Sequence, residues 1–216
     1  MHRLHLRPIA FAVTSAFAIL VVLSVDSQPS IAGKYNSVLN IGDKAPTWKD
    51  LPGTDGKTHS SDQLENAKAT VVVFTCNSCP YALDAEDRII EFTKQYTPKG
   101  VSVVAINVNK VEEDLLPAMT ERAKEKSYPF TYLFDESQQV AKDFGAKYTP
   151  EFFVLDADYK LVYMGAFDDS PDGDAVNEHY VRDAVDGILQ AKKIDVTETV
   201  PIGCRIRLER ERRRRR

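Results

Sequence analysis

The sequence predicts an α/β domain, a central mixed β-sheet flanked by helices, and three observations predict it. Val71–Phe74 and Val101–Ile106 are continuous apolar, β-branched runs, the pattern of strands covered on both faces. Between them Ala82, Ala85, Ile89, Phe92 and Tyr96 recur at helical spacing, and Pro98 with Gly100 stops the helix. Phe152–Leu155 and Leu161–Tyr163 flank the Asp156-Ala157-Asp158 turn as an antiparallel hairpin. The first two features give a strand–helix–strand unit with a right-handed crossover.

The remaining elements follow in chain order. Residues 33–45 are polar and loop-like, and Ile41-Gly42-Asp43-Lys44-Ala45-Pro46 reads as an opening turn. Asp55-Gly56 marks a tight turn in a small hairpin between Trp48 and Thr58. A helix is expected around Pro117–Lys126, with Leu116, Met119 and Ala123 on one face, followed by a strand over Phe130–Phe134. Asp135 and Gln138 have the spacing of a capping box that opens a short helix ended by Gly145. The closing helix carries Tyr180, Val181, Ala184, Val185, Ile188 and Leu189.

The two ends of the chain read differently from its middle. Residues 1–32 begin with His2, Arg3, His5 and Arg7, run apolar from Ile9 to Val25, and reach the small-residue pattern Ser30-Ile31-Ala32. An export signal cleaved near Gly33 is expected, which would make the protein periplasmic or otherwise extracytoplasmic; the alternative is a membrane anchor over residues 9–25. Residues 33–204 suffice for one domain. Residues 205–216 hold eight arginines and two glutamates, a net of +6; since the whole chain carries −4, the rest carries −10. The tail is expected to be solvated and disordered. The acidic remainder argues against nucleic acid, and no membrane contact is expected beyond an uncleaved leader.

The chemistry gathers at Cys76-Asn77-Ser78-Cys79-Pro80, directly after the first buried strand. Two thiols at i and i+3 close a disulfide when the backbone between them turns helically, and a helix start also favours a thiolate. Cys76 is expected as the helix N-cap and the more acidic, exposed nucleophile, with Cys79 as the shielded resolving thiol. Pro80 suits a first helical turn, where its missing N–H has no partner to lose. Asn77 and Ser78 are neutral, which suggests a moderate reduction potential. A zinc site needs two more ligands, and Cys204, His59 and His179 form no second spaced pair, so no metal is expected. Asp84, Glu86 and Asp87 read as the solvated face of the following helix, and no general base is named.

Two segments resemble a known family. Val71–Pro80 and Lys147-Tyr-Thr-Pro-Glu-Phe-Phe-Val-Leu-Asp156 are similar to the two signatures of thioredoxin-like proteins of the redoxin type, the alkyl hydroperoxide reductase and thiol-specific antioxidant family. Ile41–Pro46, Asp55-Gly56-Lys57 and Pro201-Ile-Gly-Cys204 resemble an exported branch of it, so the likeness covers about residues 40 to 204. It implies a thioredoxin-like fold, Cys76 and Cys79 as catalytic thiols, and Thr149-Pro150 as a cis-proline dipeptide that binds the substrate polypeptide. It also implies protein thiols and disulfides as substrates, a redox partner protein, and no cofactor.

The chain departs from the family at Ser78, where relatives often carry His, and in lacking an identifiable carboxylate base. Exported copper carriers of this fold space their cysteines by three residues, which this chain does not. Peroxidatic cysteines sit in a Pro-x-x-x-Thr-x-x-Cys segment, and the positions counted back from Cys76 hold Ala69 and Val73. The reading is therefore a thiol–disulfide oxidoreductase. Thiol peroxidase, and a binding module whose disulfide is only structural, are the alternatives. Cys204, the odd cysteine, is expected as a third redox thiol or an intermolecular link.

Overall fold

A computed structural model of the chain describes residues 33–209; the expected leader over residues 1–32 and the tail beyond 209 lie outside the described residues. The chain enters through a two-stranded hairpin, β1 (Leu51–Pro52) and β2 (Thr58–His59), around the Asp55-Gly56 turn. The core unit follows as β3 (Ala69–Phe74), α1 (Pro80–Tyr96) and β4 (Val101–Asn107). Gly100, at φ 92°, ends the helical stretch in the left-handed conformation that glycine adopts without steric cost. Then come α2 (Leu116–Glu125), β5 (Thr131–Phe134), α3 (Gln139–Phe144), β6 (Tyr148–Thr149), the hairpin β7 (Glu151–Asp156) and β8 (Leu161–Gly165), α4 (Tyr180–Leu189), and β9 (Cys204–Arg205).

Five strands form one mixed sheet in the order β5-β4-β3-β7-β8. β3 pairs parallel with β4 and antiparallel with β7, so the strand that delivers the cysteines is the central one. All six of its side chains are buried, which is why its sequence shows no polar alternation. Val71, Val73, Phe152 and Val154 face one way, against Ile89 and Phe92 of α1 and Val181 and Val185 of α4. Val72, Phe74 and Phe153 face the other, against Phe144 of α3 and Trp48. Phe74, Phe144 and Phe153 meet edge-on at centroid distances of 5.5, 5.7 and 5.2 Å, an arrangement the aromatic quadrupole favours. Among the described residues, no helix is long and apolar enough to cross a membrane.

Three expectations are corrected. The tail was expected to leave the domain at residue 205, yet Arg205 pairs with Tyr148, Ile206 is buried, and the Glu209 N–H donates to Gln138 Oε1 at 2.7 Å. The capping box fails because Gln138 turns its amide toward the carbonyls of Val108 and Arg207; Asp135 accepts the Val140 N–H at 2.8 Å and Ser137 Oγ the Gln139 N–H at 3.1 Å.

Glu86 is the third correction. It is buried under α2 and accepts both Arg122 Nε and Nη2, at 2.7 and 2.8 Å, with Lys126 Nζ at 3.1 Å and the Tyr128 hydroxyl beside it. Burial pushes its carboxyl up, but the bonds from Arg122, Tyr128 and Lys126 outweigh burial and hold it below 4.5. A depressed carboxyl stabilises the fold above its unfolded value, and that contribution fades as pH falls through the folded value. Arg122→Met should therefore cost about 1–2 kcal/mol at neutral pH, since Lys126 and Tyr128 remain as partners. The deficit in urea unfolding should shrink in acid; a deficit independent of pH would contradict it.

Candidate redox site

The site lies where β3 ends. Helix α1 begins at Pro80, the position where a missing N–H and a fixed φ suit a helix best, and this makes Cys79 the N-cap rather than Cys76. Cys76 stands three residues earlier, in the loop leaving β3. The expected cap was assigned one turn too early, although Pro80 signalled the true start.

An acidic side chain that the sequence reading passed over shapes this loop. Asp114, fully buried, accepts the Asn77 N–H at 2.7 Å and the Ser78 N–H at 2.9 Å through Oδ1, and the Ser78 hydroxyl at 2.6 Å and Asn109 Nδ2 at 3.1 Å through Oδ2. Asn77 adds Nδ2 to the Glu113 carbonyl at 2.9 Å and receives the Tyr132 hydroxyl at 3.2 Å. The backbone N–H groups between the cysteines thus point at a carboxylate and not at a sulfur. Nothing in the run Glu112-Glu113-Asp114 distinguishes this member by spacing alone.

Thr149, the residue before Pro150, faces the thiols. The Thr149–Pro150 peptide bond is cis, as the resemblance implies. Thr149 Oγ1 lies 3.5 Å from Cys76 Sγ, and the Cys79 thiol donates to the Thr149 carbonyl at 2.9 Å. Glu151, buried next to them, accepts the N–H groups of Lys147 and Tyr148 at 2.7 and 2.9 Å and so fixes the turn ahead of Pro150. Burial raises the pKa of its carboxyl, against those two backbone bonds.

All three cysteines are thiols here. Cys76 and Cys79 pack with Ala82, and Cys204 closes against them. Cys76, Cys79 and Cys204 line one cleft of about 870 Å³, with Lys110, Gln138 and Arg207 on its walls. Among the described residues, no cluster of three or more His, Cys, Asp or Glu is disposed to hold a metal ion.

The two active-loop thiols titrate as a pair. Cys79 is drawn down to about 5, chiefly because Cys76 donates to it; burial opposes this, and Cys204, the Thr149 hydroxyl and the Ala82 N–H assist it. Cys76 is pushed well above the ordinary thiol range by its bond to Cys79, by burial and by the Asp114 charge. The first proton thus leaves easily and the second with difficulty. This reverses the expected order of acidity, because Cys76 donates to Cys79 and leaves the shared charge there.

Residues 40–180 match the Redoxin family, well over half of the chain. The chain belongs to the Redoxin family. This redoxin is similar to two solved structures at family-level identity. A hypothetical protein of Sinorhizobium meliloti 1021 is 33% identical over 81% of this chain and 97% of its own, with a TM-score of 0.75. An uncharacterized conserved protein of Geobacillus kaustophilus is 34% identical over 82% and 96%, with a TM-score of 0.76. A putative thiol:disulfide interchange protein DsbE of Chlorobium tepidum, 21% identical over 70% and 99% at a TM-score of 0.59, shares the thioredoxin-like fold. No curated protein matches the chain. Family and fold together support a thioredoxin-like redox function.

Proposed function

We propose that this redoxin is a thiol–disulfide oxidoreductase that uses Cys76 and Cys79 on the thiols or disulfides of other proteins. The observation that carries the reading is the pair itself: two sulfurs in mutual contact lining a cleft, one of them drawn down to about 5. A thiolate in contact with a second thiol can break a substrate disulfide and then release itself. Cys76 is assigned the attack because it stands on the loop, whereas Cys79 caps α1; the exposed Cys76 that the sequence suggests is corrected, since both thiols are buried in the reduced protein. The Cys76 proton passes to the Cys79 thiolate beside it. Cys76 Sγ then attacks the substrate disulfide, one substrate sulfur leaves as a thiolate, and a mixed disulfide remains on Cys76. Cys79 next gives its proton to the departing chain and attacks Cys76 Sγ, which forms the Cys76–Cys79 bond and frees the second substrate thiol. Two electrons have moved from the pair to the substrate; the reverse sequence oxidises a dithiol.

The Thr149 edge expected to take the substrate chain is paired with Cys204 and Arg205, so a substrate reaches Cys76 from the cleft that Lys110, Gln138 and Arg207 line. The sequence of residues 1–32, read as an export signal, supports an extracytoplasmic place of action, with membrane contact only if that segment is retained.

The test is reduction of insulin disulfides beside consumption of hydrogen peroxide, each supplied with dithiothreitol. Exchange predicts insulin reduction well above the dithiothreitol background and no faster peroxide loss. Peroxide consumption alone would assign thiol peroxidase instead, and neither activity would leave a structural disulfide. Iodoacetamide labelling of the reduced protein is a separate check. The pair should still react at mildly acidic pH, losing reactivity with a midpoint near 5, whereas a midpoint near that of an ordinary thiol would contradict the shared thiolate.

A further inference from the structure

The segment after α4 returns across the thiols as a strap. It is fixed first to β8, where the Met164 N–H donates to the Thr197 carbonyl at 3.0 Å and the Thr199 N–H to the Met164 carbonyl at 3.1 Å. At Gly203 it comes down onto Thr149 so closely that a Cβ would stand 2.2 Å from the Thr149 oxygen, so no other residue fits without a shift. Cys204 and Arg205 then pair antiparallel with Thr149 and Tyr148, and the Ile206 N–H donates to the Lys147 carbonyl at 2.9 Å. Beyond them Gln138 holds both the Arg207 carbonyl and the Glu209 N–H. An extended strand is thereby held on the Thr149 edge with its one cysteine packed against Cys76, Cys79 and Ala82. A substrate of thiol–disulfide exchange must reach that same arrangement, an extended chain presenting a sulfur to the pair, and here the chain supplies its own.

We propose that Cys204 is a third redox thiol, an internal substrate that takes the disulfide over from Cys76 by exchange at Cys79. The proposal rests on the exchange reading of the pair. In the oxidised protein Cys76 and Cys79 are bonded and Cys204 is a thiol. Cys204 loses its proton to solvent and its thiolate attacks Cys79 Sγ. The Cys79–Cys204 bond forms as the Cys76–Cys79 bond breaks, and Cys76 leaves with the electron pair as a thiolate. One disulfide replaces another, so no external oxidant or reductant enters.

The surroundings of Cys204 suit this order of events. In the reduced protein burial, the bond to Cys79 and the Cys79 charge raise it to about 11, so it stays protonated and does not compete for the shared charge. Once Cys79 is in a disulfide its charge and that bond are gone, and the Cys204 thiolate becomes easier to form. The exchange places the oxidising equivalent on the strap and frees Cys76 at the cleft.

The test maps disulfides in the full chain after one equivalent of diamide, with acid quench, alkylation and non-reducing peptide mass spectrometry. Three thiols and one disulfide leave one thiol free. The relay predicts that the alkylated residue is divided between Cys204 and Cys76, with a Cys79–Cys204 linked peptide present. In Cys76→Ser the same treatment should give that linked peptide with loss of both remaining thiols. If wild type forms Cys76–Cys79 with Cys204 always free, and Cys76→Ser forms no intramolecular bond, the relay is wrong while the exchange reading stands. If wild type forms no Cys76–Cys79 bond at all, the exchange reading fails and takes the relay with it.

Discussion

Cys76→Ser should lose reduction of protein disulfides by on the order of a thousandfold or more, because Cys76 is the thiol that forms the mixed disulfide with substrate. Cys79→Ser should lose turnover as well, but by a different route. Its Cys76 can still attack, and without Cys79, the thiol that Cys76 hydrogen-bonds, the mixed disulfide persists. Covalent adducts that dithiothreitol releases should then accumulate on Cys79→Ser and not on Cys76→Ser. The contrast has a physical basis in the site. Cys79 is the N-cap of α1, whereas Cys76 stands on the preceding loop facing Thr149 Oγ1. Cys79→Ser also removes the base that takes the Cys76 proton, so adduct formation should slow at neutral pH and recover as pH rises. Adducts on Cys76→Ser instead would exchange the two roles.

Asp114 offers the second large effect, because one buried carboxylate holds the whole loop between the cysteines. Asp114→Ala leaves the N–H groups of Asn77 and Ser78, the Ser78 hydroxyl and one Asn109 amide hydrogen without their acceptor. Bonds to a charged acceptor in a buried site are worth more than ordinary ones, and a loss of about 3 kcal/mol is expected in chemical denaturation. Asp114→Asn separates shape from charge. Its amide oxygen can keep an acceptor for the loop, while the negative charge that raises the Cys76 pKa is gone. The second thiolate then forms more readily, the dithiol state gains relative to the disulfide, and the reduction potential moves to a less negative value. An unchanged or more negative potential would show that the Asp114 charge does not act on the pair.

Much of this arrangement is legible in the residues. The runs Val71–Phe74 and Val101–Ile106 could only be doubly covered strands, and the apolar spacing from Ala82 to Tyr96 gave the helix between them. The cysteine spacing directly after a buried strand located the chemistry, and the Thr149-Pro150 segment was placed opposite it by resemblance. What escaped is what depends on long-range partners. Asp114 has the same local setting as Glu112 and Glu113, and only folding turns it inward under the cysteine loop. Glu86 occupies a helical position that looks solvated until α2, with Arg122, is packed over it. The pairing of Cys204 with Thr149 joins residues 55 apart through two short strands, too brief for any periodicity to reveal. Gly203 likewise shows nothing in sequence of its service, the close approach to the Thr149 carbonyl.

The central claim is that the Cys76–Cys79 pair is a working redox couple, and its equilibrium with glutathione is the most direct test. The purified protein would be poised in buffers of graded ratios of reduced to oxidised glutathione, quenched in acid, and scored for alkylated Cys76 and Cys79. The account predicts a reversible two-electron transition of the pair at a potential between about −270 and −120 mV, the span of working thioredoxin-like couples. A pair that forms no disulfide, or one with a potential below about −300 mV, where structural disulfides lie, would contradict it.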